Sequence, residues 1–230
     1  MSGRKLMTAL IAVLLVMVPG CGSDKDFCEK QGEKAIAHIS KKYQREFVPV
    51  PDDTGAYIRE LGKLTCRTEG MDESEYVTIT IDGNGFHDNY FGYIIRTEVE
   101  SYVKNMVTPV FPECKVFYDV GANPFPDDLI QGNTLSDYYE RESDARLVVT
   151  VYAKAGEGQY ADKISKIEDT IISTGHAYMF RVFVLKEKPY GKIERNNQDD
   201  FWVENDKAKQ NGNPLCVYEY EKLFVNGEVL

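Results

Sequence analysis

A stretch of apolar residues long enough to cross a bilayer is missing from this 230-residue chain. The longest apolar run, Leu6 to Val18, has thirteen residues, whereas a helix needs ~20 to traverse ~30 Å of hydrocarbon. Positive charge is short as well: 27 basic residues face 37 acidic ones, for a net charge of −10. Such a surface repels phosphate backbones and anionic headgroups, which excludes nucleic acid as a partner and electrostatic docking on a membrane. Histidine is scarce, with three residues, none with a second ligand at i+4, and there is no C-x-x-C pair of the kind found in zinc or redox sites. The chain also lacks a G-x-S-x-G elbow, an H-E-x-x-H helix, a P-loop and a G-x-G-x-x-G turn. The serine-hydrolase, zincin and nucleotide fingerprints are therefore absent, and no cofactor is expected.

What the chain does have is a well-marked beginning. Arg4 and Lys5 precede the apolar run, and Val18-Pro19-Gly20-Cys21 ends it before the charged stretch Asp24-Lys25-Asp26. A positive n-region, a short apolar core and small residues at the cut describe an export signal. The cut resembles the lipobox of bacterial lipoproteins, with Pro19 standing at a place usually held by a small residue. That resemblance implies that residues 1–20 are removed and that Cys21 receives a diacylglyceryl group and becomes the first residue. Two acyl chains anchor a soluble body stably, because each buried methylene is worth ~0.8 kcal/mol. Residues 21–28 then read as the lipidated cysteine and a short tether, and 29–230 as the extracytoplasmic domain. Loss of Arg4 and Lys5 moves the net charge to −12.

Hydrophobic content of 43% and fifteen tyrosines fit a packed body, not a disordered stalk. Cys28, Cys66, Cys114 and Cys216 remain after Cys21. An even number in an exported chain permits disulfides in three complete pairings, and buried free thiols are the equal alternative.

Apolar spacing predicts a helix over 29–44 and a strand over 76–81, where Val77, Ile79 and Ile81 alternate with threonines. A second helix is expected from Thr97, whose partner Glu100 completes a capping-box pattern. Further strands are expected at 114–120, 146–153, 176–185 and 215–224, with a third helix over 160–172. Residues 121–137, rich in Gly, Pro and Asp, mark a subdomain seam, and 188–213 read as a long polar loop. The fold class is α+β: a mainly antiparallel sheet with about three helices packed on it, leaving open two similar α/β halves.

The run Glu33-Lys34-Ala35-Ile36-Ala37-His38-Ile39-Ser40-Lys41-Lys42-Tyr43-Gln44-Arg45-Glu46-Phe47, with Asp88-Asn89-Tyr90 and Phe111-Pro112-Glu113-Cys114-Lys115-Val116-Phe117, resembles the first half of uncharacterised exported lipoproteins of Firmicutes. The resemblance implies a location and a fold, and carries no activity.

Two segments stand out as candidate sites. Asp82-Gly83-Asn84-Gly85-Phe86-His87-Asp88 suggests a calcium loop, but an EF-hand needs Gly at its sixth position and Glu at its twelfth, where this chain has His87 and Tyr93. His87, Asp88 and Asp82 are left as a weak metal-like group beside the simpler reading of a turn. The second segment joins Phe201 and Trp202 to Asp199, Asp200, Glu204 and Asp206. Exposed, it would form a partner-binding surface, because aromatics anchor interfaces and charges choose partners. The alternative is that the two aromatics pin the segment to the core while the acids stay solvated. The expected function is a lipid-anchored, non-catalytic domain binding a protein, wall polymer or small ligand. An extracytoplasmic hydrolase assembled from distant residues and an inhibitory lipoprotein are the alternatives.

Overall fold

A computed structural model describes residues 25–51, 58–59, 62–142 and 145–230. The expected export signal over 1–20 and Cys21 lie outside the described residues. Helix α1 (Lys25–Tyr43) is followed by β1 (Phe47–Pro49), β2 (Ile58–Arg59), β3 (Lys63–Thr68), β4 (Val77–Asp82) and β5 (Gly85–Asp88). The strands form one antiparallel sheet in the order β1-β3-β4-β5, with β2 also beside β3. Ala35, Ile39 and Tyr43 recur every four residues, so one stripe of α1 faces the sheet. That stripe closes over Leu64, Cys66, Val77 and Ile79 as a buried core. Because α1 begins at Lys25, residues 25–28 of the expected tether are helical.

Helix α2 (Tyr90–Val107) begins seven residues before Thr97, so Thr97 and Glu100 lie within it and form no cap. The true start is set by Asp88, whose Oδ1 accepts the Tyr90 N–H at 2.9 Å. The aromatic and glycine content of Tyr90-Phe91-Gly92-Tyr93 hides the helical period there. Gly92 is needed for packing: a Cβ at this position would lie 2.6 Å from Val120 Cγ1 and 2.9 Å from the Phe125 ring.

The second sheet is built from β6 (Cys114–Asp119), β7 (Arg146–Lys154), β8 (Ala177–Leu185), β9 (Cys216–Val225) and β10 (Glu228–Val229). Its order is β10-β9-β8-β7-β6. The central pair β7–β8 is parallel and the other pairs are antiparallel. A parallel pair needs a crossover, which α4 (Tyr160–Thr174) supplies, while the short α3 (Leu135–Arg141) precedes β7. Gly175 ends α4 at φ 71°, the left-handed conformation that favours glycine.

Period-two alternation on β8 serves two cores. Tyr178, Phe180, Val182 and Val184 join α2 and α4, while Phe183 and Leu185 face the opposite way with Tyr152 and Phe201. That second face is covered by α5 (Glu187–Lys192), a 3-10 turn (Arg195–Asn197) and α6 (Gln198–Gln210). The expected loop over 188–213 is thus largely helical. Its inward stripe was unreadable because its middle position is polar: Asn205 is buried, and its side-chain oxygen accepts from Leu215 N at 3.1 Å while its amide donates to Glu219 at 2.9 Å. The architecture is α+β, with two mainly antiparallel sheets sharing α2 between them.

A buried charge pair ties α1 to this arrangement. Asp88 accepts from Lys42 Nζ and from the Tyr43 hydroxyl, both at 2.9 Å. The Asp88 and Lys42 side chains are only 2% and 7% exposed. Removing one partner of such a pair strands the other charge away from water. Asp88→Ala is therefore expected to lower unfolding free energy by about 3–5 kcal/mol, measured by urea denaturation, and adding Lys42→Met should restore part of the loss.

Candidate functional site

The residues singled out in the sequence do not converge. His87 sits on β5, its Nδ1 2.9 Å from Asp127 and its Nε2 3.5 Å from Asp82. The two carboxylates therefore hold opposite ring nitrogens, and Asp88 turns away to Lys42 and Tyr43. Among the described residues no three His, Cys, Asp or Glu side chains are arranged to hold a metal ion. His38 packs on the Phe86 ring, and His176 stacks flat on Tyr139.

The acidic aromatic segment is helix α6. Phe201 turns inward and meets Tyr152 and Phe183 edge-on. Trp202 is half-buried, its ring 4.5 Å from Phe183 and capped by the Arg181 guanidinium at 5.4 Å. The two aromatics hold the helix against the sheet. Asp200, Glu204 and Asp206 are exposed, yet Lys207 and Lys209 stand among them, and Lys209 pairs with Asp206 and Glu219. The outer face of α6 is consequently mixed in sign. Asp199 lies in the helix's first turn.

A cleft of about 340 Å³ opens where the two sheets meet. Four chain segments wall it: residues 74–78 entering β4, 89–96 at the start of α2, 118–122 leaving β6, and 195–198 entering α6. Asn89, 1% exposed, fixes two of these walls, since its Oδ1 accepts from Thr78 N and its Nδ2 donates to Gly121 O, each at 2.8 Å. Arg96 is held by Glu75 at 2.8 Å and lies over the Tyr93 ring at 4.7 Å. On the facing wall Arg195 is held by Glu100, whose carboxylate also accepts the Tyr118 N–H. Burial, with Glu75 nearby, pushes the Tyr93 hydroxyl up to about 12, and that hydroxyl donates to Tyr76 O at 2.9 Å. Asp119 adds a further carboxylate to the lining, so that with Glu75 and Glu100 the two arginines meet three acids.

Sequence reasoning missed this site because its walls come from segments up to about 120 residues apart, each of which reads as an ordinary turn or helix end. The nearest sequence signal is Asp88-Asn89, two polar residues immediately before the aromatic run Tyr90-Phe91 that opens α2. A second turn also invites chemistry: Gly156-Glu157-Gly158-Gln159-Tyr160-Ala161 joins β7 to the crossover helix α4, the position of a dinucleotide loop in α/β folds. Here Lys163 Nζ folds back onto Glu157 O at 2.8 Å, and Glu157 and Asp162 add negative charge where a pyrophosphate would have to lie.

None of the three described thiols lines the cleft. Cys66, Cys114 and Cys216 are buried and free. Burial, reinforced by Asp88, pushes the Cys66 thiol up to about 12, and burial with the Glu219 carboxylate does the same to Cys216. A thiolate is the nucleophile, so neither group is poised to react at neutral pH.

No family model matches this chain, and no curated protein or solved structure does either.

The raised thiols set a pH dependence. An unfolded thiol ionises near pH 9, whereas the folded Cys66 and Cys216 stay protonated to about 12. Above pH 9 the unfolded chain binds fewer protons than the folded one, so stability falls as pH rises from 9 to 12. Urea midpoints across that window should drop, and drop less in Cys66→Ala. At pH 8 the three thiols should resist alkylation, read by mass spectrometry, until urea unfolds the chain.

Proposed function

We propose that this chain is a lipid-anchored extracytoplasmic lipoprotein whose body binds a ligand without transforming it, and that the cleft between the two sheets is the ligand's seat. The observation that carries the reading is the order Arg4-Lys5, a thirteen-residue apolar run, and Cys21 at the boundary with a strongly acidic body. A leader of that length cannot span, so the physical use left to it is export followed by anchoring through the thiol.

Binding fits the cleft better than catalysis does. Its arginines are each committed to a carboxylate, and the histidines and described thiols of the chain stand elsewhere. Clefts at the junction of two structural units, with polar groups converging from several segments, are where small ligands seat. The walls are fixed by buried hydrogen bonds, so the site is formed before a ligand arrives and little ordering is required on binding.

Expressed in a bacterial host, the full chain should sediment with membranes, and its mature mass should begin at Cys21 with a diacylglyceryl adduct. Cys21→Ser should abolish the adduct and release the protein from the membrane fraction. An intact leader, or an unmodified Cys21 at the mature terminus, would overturn the proposal.

A further inference from the structure

Four arginines, Arg96, Arg141, Arg181 and Arg195, are each held by a carboxylate. Arg45 and Arg67 are held differently. Arg45 donates to the Tyr90 hydroxyl at 2.7 Å and to Glu69 O at 2.9 Å, and Arg67 donates to Glu75 O at 2.8 Å and to Glu73 O. Every one of these acceptors is an uncharged oxygen, so the fold fixes both guanidiniums in place and neutralises neither. The nearby Asp72 carboxylate is turned to Ser74.

The two arginines share a depression of about 500 Å³ with Glu46, Val48, Thr68 and Glu69, at the β1 edge of the first sheet. Gln44, at φ 52°, ends α1 in the left-handed conformation, and Arg45 then reaches the end of β3. On β1, Val48 lies opposite Arg67, and two steps along the same register set Glu46 opposite Glu69. Like charges facing each other across a strand pair destabilise it, and neither glutamate has an ion-pair partner among the described residues. Val48 is 56% exposed.

The depression thus gathers two fixed cations, two unpaired anions and one open apolar side chain. An anion drawn to the arginines meets the glutamates as well, and a cation drawn to the glutamates meets the arginines. A molecule with one charge of each sign satisfies both pairs. The donors for it are in place: a guanidinium has five N–H groups and can grip a carboxylate with two of them. Arg45 and Arg67 each use two within the fold, which leaves three apiece.

We propose that this depression binds an aliphatic zwitterion, an amino acid or short peptide, with its carboxylate on Arg45 and Arg67, its ammonium between Glu46 and Glu69, and its side chain on Val48. The site shares no lining residue with the cleft between the sheets. It depends neither on that cleft nor on the lipid at Cys21.

The test is titration calorimetry on the full-length protein in detergent. Leucine and leucylleucine are the probes, and N-acetylleucine and leucinamide are matched controls that keep only the anion or only the cation. Leucine or leucylleucine should bind, and the tighter of the two separates amino acid from peptide as the source. Each control should bind about fivefold more weakly or worse, the loss of one partly exposed ion pair, and added salt should weaken leucine binding. Arg67→Gln, and Glu46→Gln combined with Glu69→Gln, should each cost about fivefold or more. Asn196→Ala, in the cleft, should leave binding unchanged. The two glutamate side chains hold no other part of the fold among the described residues, so their variant keeps the test valid if Arg67→Gln fails to fold. No binding of leucine or leucylleucine, equal binding of either control, or binding that the double glutamate variant retains would overturn the site. Binding lost in Asn196→Ala and kept in the glutamate variant would overturn it too, and would move the zwitterion to the cleft.

Discussion

The structure turns on two adjacent polar residues, Asp88 and Asn89, each 1% exposed at the junction of β5 with α2. Burying a carboxylate and an amide is expensive unless every polar atom finds a partner. Here Asp88 receives Lys42, Tyr43 and the first amide of α2, and its carbonyl takes the Phe125 N–H at 2.9 Å. Asn89 takes β4 with one end of its amide and the chain after β6 with the other. Three other segments, α1, β4 and the chain after β6, thereby meet α2 at one dipeptide. Removing Asp88 would leave a buried ammonium without its carboxylate and the Tyr43 hydroxyl with only a longer contact to Leu129 O at 3.5 Å, so the junction is fixed less by the strength of any one bond than by the cost of leaving one unmade.

That junction explains why one helix can serve two sheets. α2 presents Tyr90 to the first core and Phe91, Ile95, Val99, Val103 and Val107 to the second. A helix shared in this way has to enter at a fixed angle and rotation, and both are set where Asp88 caps its first turn and Gly92 lets Val120 and Phe125 approach the backbone. The cleft is the space left at this corner, between the start of α2 and the end of β6. Its position is a consequence of the packing, and its walls are as rigid as the hydrogen bonds of Asn89 and Glu100 make them.

Legibility in the sequence followed the physics of periodicity. β7 and β8 could be read directly, because alternation or continuous apolarity leaves few other choices for a nine-residue segment. α1 and α4 were readable from isoleucines spaced three and four apart. α6 was not, since its inward stripe runs Phe201, Asn205, Ala208, and an asparagine at the central position breaks the apolar signal while meeting its hydrogen-bonding needs on Glu219 and Leu215. The start of α2 is hidden for a related reason: its first N–H is held by Asp88, the last residue of β5, and Asn89 between them makes no side-chain cap, so no capping pattern marks the boundary. The α6 acids and the His87 group drew notice by local composition, whereas the cleft is a property of the tertiary arrangement that no local window contains.

The thiols bear on how far the fold depends on its surroundings. Cys66 lies in the core of the first sheet, Cys114 in that of the second, and Cys216 in the cluster on the far face of that sheet. Three cysteines in three separate cores cannot pair with one another without dismantling at least one of them, because a disulfide needs Cα atoms ~4.4–6.8 Å apart. Each contributes as a small apolar side chain, and burial keeps each protonated. The stability of these cores thus comes from packing and from the Asp88 junction, and does not require oxidation to any bond among these three. The packing around these three side chains is therefore indifferent to whether the medium is reducing or oxidising, because none of them has a thiol partner within its own core.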